Sequence, residues 1–135
     1  MPDKPLSCVL LADRHHGLTE GVRGLLETAF GSVVMVADEA SLVDAAARLR
    51  PDLAVVDLSL ARERGLGWLR AVHERCPGLK IIVLSVHDEQ SVRAAAVAAG
   101  ADAFVVKRDI ATDLMAAIER VQGSHETEHT MGENR

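Results

Sequence analysis

The sequence predicts an α/β fold: a doubly wound, five-stranded parallel sheet interleaved with five helices. Three observations predict it. Short runs rich in aliphatic residues recur five times along the chain. Runs of that kind read as strands buried on both faces, which is the habit of parallel sheets. Each is followed by a stretch with apolar residues at helical spacing, and regular strand–helix alternation implies helices on both faces of one sheet, joined by right-handed crossovers. Finally, several of the runs end in a polar side chain, on the edge where open α/β sheets bind their ligands.

Taken in order, Cys8 to Ala12 is the first strand, ending in Asp13. Leu18, Val22, Leu25, Leu26 and Ala29 mark one helix face, which Gly31 closes; Gly21 and Gly24 weaken this helix, so packing must hold it. Val33 to Ala37 is the second strand. Ser41 and Asp44 form a capping pair for a second helix carrying Leu42, Ala45, Ala46 and Leu49, which Pro51 stops. The third strand, Leu53 to Asp57, favours an extended backbone through the β-branched Val55 and Val56, and it ends in a single carboxylate. Leu66, Leu69 and Val72 mark a third helix, with Trp68 half-buried beside them, broken at Pro77-Gly78. Ile81 to Ser85 is the fourth strand. Val92, Ala95, Ala96 and Ala99 form the fourth helix, with Gly100 at the position that favours glycine just past a helix end. Ala103 to Val106 is the fifth strand and ends in Lys107. Asp109 caps a fifth helix carrying Ile110, Leu114, Ala117, Ile118 and Val121. The apolar period stops at Gly123, so residues 1–122 read as one domain and 123–135 as a disordered tail or the start of a linker.

Composition narrows the function. A chain of 135 residues with 48% apolar and 26% charged residues suits one domain with one aliphatic core. Two Phe, one Trp and no Tyr leave little for stacking on bases, and a net charge of -5 argues against direct nucleic-acid binding by this domain. Cys8 and Cys76 make no metal pattern and suit the reduced thiols of a cytoplasmic protein. The first residues do not resemble a signal peptide, and no apolar run approaches the ~18 residues of a membrane span, so no membrane partner is expected.

The strand ends form a constellation. Asp13, Asp57, Ser85 and Lys107 all fall on one carboxyl edge. Two carboxylates suit Mg²⁺, which takes oxygen ligands, waters and phosphate. An ammonium and a hydroxyl suit phosphoryl oxygens. The set points to phosphoryl chemistry at a carboxylate. The segments VLLADRHH, PDLAVVDLSL, GLKIIVLSVHD and AGADAFVVKRD carry a more specific resemblance. In order and spacing the chain, roughly from Ser7 to Gln122, resembles the receiver domain of two-component response regulators. It is most similar to the NarL/FixJ type, whose receivers are usually joined to a LuxR-like helix-turn-helix. The resemblance implies a flavodoxin-like (CheY-like) sheet of order 2-1-3-4-5. It implies that Asp57 accepts a phosphoryl group from a histidine kinase or phosphotransfer protein. Lys107 then matches the phosphate-binding lysine, Ser85 the switch hydroxyl and Phe104 the aromatic that turns inward when that hydroxyl engages the phosphate. Asp13, Asp57 and the backbone carbonyl of Ser59 match groups that hold Mg²⁺. The resemblance also implies a weak homodimer through the fourth helix, fifth strand and fifth helix. Such a domain is not a conventional enzyme, although it assists its own phosphotransfer and dephosphorylation.

Two departures stand out. Receivers carry two adjacent acids after the first strand; here Arg14 follows Asp13. Ala61 and Arg62 stand where a Pro-Gly segment is usual. With Arg14 turned inward, Asp13 and Asp57 are balanced by Arg14 and Lys107, and the drive for Mg²⁺ is largely lost. Arg14 therefore favours a second reading, an atypical receiver acting as a phosphorylation-independent interaction module; the intact Asp57, Ser85 and Lys107 oppose it. A phosphatase of the haloacid dehalogenase type also uses a strand-end aspartate. It requires a second Asp two residues on, where Ser59 stands.

Overall fold

The computed structural model describes residues 8–13, 16–61 and 67–134, with backbone alone at 16–19, 61 and 123–134. Five strands, β1 (Cys8–Ala12), β2 (Ser32–Val36), β3 (Leu53–Asp57), β4 (Lys80–Ser85) and β5 (Ala103–Val106), pair in parallel in the order β2-β1-β3-β4-β5. Between and after them run α1 (His16–Glu27), α2 (Glu39–Leu49), α3 (Gly67–Arg75), α4 (Gln90–Ala99) and α5 (Ile110–Asn134). The expected fold class and strand order are what the chain adopts.

Strand alternation divides the core in two. Ala54, Val56, Ile81 and Val83 face Leu42 and Ala46 of α2, Leu69 and Val72 of α3 and Ala96 of α4. Leu53, Val55, Ile82 and Leu84 face Val22 and Leu26 of α1 and Leu114, Ala117 and Ile118 of α5. All five residues of β3 are buried, as a central parallel strand requires. β2, at the edge, is half-exposed, with Met35 over a third exposed at 37%.

Several local expectations are corrected. The cap of α2 is Asp38, not Ser41: Asp38 is extended, and its side chain accepts from the Ser41 amide at 2.7 Å, so the helix starts two residues before Ser41. Trp68 is buried rather than half-buried, packed with Leu69 and Val72. The stretch after Gly123, read as a disordered tail or the start of a linker, continues the backbone of α5 to Asn134. No proline interrupts residues 123–134, and loss of an apolar face does not by itself end a helix. Cys76 is half-buried, its thiol donating to the Ala46 carbonyl at 2.8 Å.

Gly100 holds the turn between α4 and β5. Its φ of 123° lies where side chains are strained, and its amide satisfies the last α4 carbonyls, Ala96 and Val97. Its own carbonyl lies 2.6 Å from His73 Nε2 on α3, so there is no room for a β-carbon, which would meet His73 Cδ2 at 2.4 Å. Gly100→Ala should therefore lower stability by about 1–3 kcal/mol, as a shift in the urea unfolding midpoint.

Candidate functional site

Parallel pairing sets the site. Asp57 pairs in register with Leu84, one residue before Ser85, and Ser85 pairs with Val106, one residue before Lys107. Asp13 follows the last residue of β1, its amide bonded to the Val36 carbonyl at 3.1 Å. Asp13, Asp57 and Ser85 are all buried polar residues.

Asp57 is the centre. Its Oδ1 accepts the Ser59 amide at 3.1 Å. Its Oδ2 accepts the Ser59 hydroxyl at 2.8 Å and Lys107 Nζ at 2.8 Å. Lys107 Nζ is also 4.0 Å from Asp13 Oδ2. Ser59 reaches back because the chain turns at once into a single 3₁₀ turn, Leu58–Ala61. Lys107 likewise opens a 3₁₀ turn, Lys107–Asp109, that aims its side chain back over the sheet edge. Burial pushes the Asp57 carboxyl up, but hydrogen bonds with Asp13, Lys107 and Ser59 outweigh that and hold it at about 2. An ionised carboxylate beside an ammonium is a competent nucleophile toward an electrophilic phosphorus, since the cation can neutralise phosphoryl oxygens.

The structure thus brings together Asp13, Asp57, Ser59 and Lys107. Ser85 stands on the same edge, but its hydroxyl is engaged locally and accepts the His87 amide at 2.9 Å. Phe104 is buried on β5, with the Arg93 guanidinium 4.7 Å from its ring centroid, a cation–π contact. Arg14 and residues 62–66 lie outside the described residues. Two features escaped the sequence reading. One is the Ser59 hydroxyl on Asp57, although a serine two residues after an aspartate is a recognisable local pairing. The other is an ion pair between Arg108 and Asp88, which bridges the loops after β5 and β4.

Comparison with known proteins agrees with this geometry. A family model described as the response regulator receiver domain matches residues 9–119. The nitrate/nitrite response regulator protein NarP of Escherichia coli strain K12 is 36% identical over 120 residues, covering 87% of this chain and 56% of the relative. The signal receiver domain of a response regulator NarL from Mycobacterium tuberculosis superposes with a TM-score of 0.76 at 26% identity, over 90% of this chain and 99% of that one. RcsB of Salmonella typhimurium superposes with a TM-score of 0.78 at 24% identity, over 91% of this chain and 62% of that one, a likeness of fold. The chain spans about half the length of the curated relatives it matches.

The lowered Asp57 pKa makes a prediction of definite sign. A carboxyl at about 2 in the folded chain, against 3.8 without its partners, stabilises the fold above about pH 4, and that contribution is lost as pH falls through about 2. Its size is on the order of 2 kcal/mol. The stability difference between wild type and Asp57→Asn should shrink by about that amount between pH 5 and pH 2, read from urea midpoints at each pH. A difference independent of pH would mean that Asp57 is not held ionised by its neighbours.

Proposed function

Because this chain belongs to the response regulator receiver domain family, we propose that it is the phosphoacceptor of a two-component relay, with Asp57 receiving the phosphoryl group of a histidine kinase or phosphotransfer protein. The observation that carries this reading is the buried, ionised Asp57 with Lys107 Nζ at 2.8 Å. In the transfer one Asp57 oxygen bonds to phosphorus. The bond from phosphorus to the donor imidazole breaks with its electron pair left on nitrogen, where a proton neutralises it. Lys107 passes from the carboxylate to the new phosphoryl oxygens and balances their charge. Ser85 donates its hydroxyl hydrogen to the same oxygens while its oxygen accepts the His87 amide, and Phe104 reports the change to α4 and β5.

A receiver of this kind is a signalling domain, not a classical enzyme; assistance with its own phosphotransfer and dephosphorylation belongs to the proposal. Residues 1–122 make up the receiver and 123–135 begin the linker, in keeping with the match over 9–119. The output is transcription regulation in the cytoplasm through a partner or attached domain, since the relatives are longer regulators. Among the described residues no helix is long and apolar enough to cross a membrane. A weak homodimer through α4, β5 and α5 fits the groove there, whose lining carries both signs of charge, Arg93 and Arg120 with Asp109 and Asp113.

Receivers generally bind Mg²⁺ at an acidic pocket. Here Asp13, Asp57 and the Ser59 carbonyl are the donors available. Lys107 already lies 2.8 Å from Asp57 and 4.0 Å from Asp13, and among the described residues no group of three or more His, Cys, Asp or Glu could hold a metal ion. The set fits the ion poorly, and Arg14, in place of the second acid, weakens it further. That shortfall also favours the second reading, a module that binds its partner without phosphate.

Two outcomes test these readings. Incubation with acetyl phosphate or a kinase should add the mass of one phosphoryl group at Asp57, and Asp57→Asn should abolish labelling; label persisting in that variant would remove the acceptor assignment. Arg14→Asp restores two adjacent acids and should raise Mg²⁺ affinity by roughly tenfold or more, as added ligand charge does at such sites, and speed labelling. Calorimetry finding equal, tight Mg²⁺ binding in both proteins would show that Arg14 points away from the pocket.

A further inference from the structure

Ser85 and Lys107, the hydroxyl and the ammonium of the site, stand at the roots of two different loops. The loop after β4, residues 86–89, is exposed throughout, so packing does little to fix it. Within it the His87 amide donates to Ser85 Oγ at 2.9 Å. Across to another element, Asp88 Oδ2 accepts a hydrogen bond from Arg108 Nη2. Arg108 is the residue after Lys107 in the same 3₁₀ turn, and Lys107 Nζ is fixed on Asp57 at 2.8 Å. A continuous route therefore runs from Asp57 through Lys107, Arg108 and Asp88 to the loop that follows Ser85. The Arg108 hydrogen bond and charge hold the Asp88 carboxyl below its usual range, and the Arg93 charge on α4 adds to them.

We infer that Arg108 is a positioning residue: through Asp88 it ties the loop that follows Ser85 to the Lys107 turn, so that the His87 amide, which orients the Ser85 hydroxyl, moves with Lys107. The inference rests on Asp57 as the acceptor. When Lys107 shifts from the carboxylate to a phosphoryl group, its turn shifts with it, and the ion pair draws the Ser85 loop the same way. Without the pair the loop samples open positions, the His87 amide leaves Ser85 Oγ more often and no longer orients the hydroxyl, and water reaches the phosphorus sooner. The pair is exposed, with side chains 63% and 51% accessible, so the tie is weak and screened by salt, which suits a reversible coupling.

The first readout needs no phosphorylation: solvent exchange of the His87 amide, measured by NMR in the full chain. Arg108→Gln keeps the size of the side chain and removes its charge; it should speed exchange roughly two- to fivefold at low salt, the scale of an exposed ion pair. Arg108→Lys should restore the slow rate, and high salt should bring the wild type toward the Gln variant. In protein labelled at Asp57, the aspartyl phosphate of Arg108→Gln should decay faster by a similar factor, again rescued by Lys. Exchange unchanged in Arg108→Gln, or a Lys variant as fast as the Gln variant, would overturn the tie. A wild type that takes no label at Asp57 would overturn the acceptor reading instead, and the exchange measurement would still decide whether Arg108 holds the loop.

Discussion

Parallel pairing of all five strands is the constraint from which the rest follows. It brings every strand's carboxyl end to one edge, so polar residues far apart in sequence share one surface without any loop having to deliver them. Asp57 and Lys107 are fifty residues apart and meet at 2.8 Å because β3, β4 and β5 are adjacent and in register. The cost of the arrangement is burial of strand-end charges in a largely aliphatic interior. Asp57, with 2% of its surface exposed, can remain ionised there only with donors on both oxygens. The Ser59 amide, the Ser59 hydroxyl and Lys107 supply them, and the two 3₁₀ turns place those groups without lengthening the chain.

The same pair couples stability to chemistry. Lys107 neutralises a buried carboxylate in the unmodified chain and is the nearest cation for any anion that forms on it. One ammonium thus serves both states, and adding a phosphoryl group does not leave it without a partner. In the proposed phosphorylated state the added negative charge would be the difference that Lys107 meets first. Ser85 has a hydrogen to offer, because its oxygen accepts the His87 amide while its O–H can still be donated to a phosphoryl oxygen.

Much of this was legible in the sequence, and the reasons are physical. Buried parallel strands must be apolar at nearly every position, so β1, β3, β4 and β5 stand out as runs, and the polar residue ending each run marks the sheet edge. Boundaries set by single hydrogen bonds were less legible. Asp38 and Ser41 are both good caps by composition, and only the extended backbone at Asp38 distinguishes them. The extent of α5 past Gly123 left no apolar period to read. Trp68 read as half-buried, yet it is buried in the core beside Leu69 and Val72. The Arg108–Asp88 pair was the least legible feature, since exposed charges twenty residues apart carry no pattern until the loops are placed.

The charges around the acceptor bear on how the two functional readings relate. Asp57, Asp13 and Lys107 sum to one negative charge when all three are ionised, and Arg14, if inward, would cancel it. A pocket near neutrality attracts a divalent cation weakly but opposes an incoming phosphoryl anion less than an acidic pocket does. An arginine at position 14 turned into the pocket would, on the proposed reading, both disfavour the metal and supply some of the positive charge that Mg²⁺ would bring, in a planar form suited to phosphoryl oxygens. On this argument the loss of the second acid does not by itself move the chain from phosphoacceptor to passive module. The proposed acceptor reading rests on the Asp57–Lys107 pair, which is intact whichever group would balance the charge.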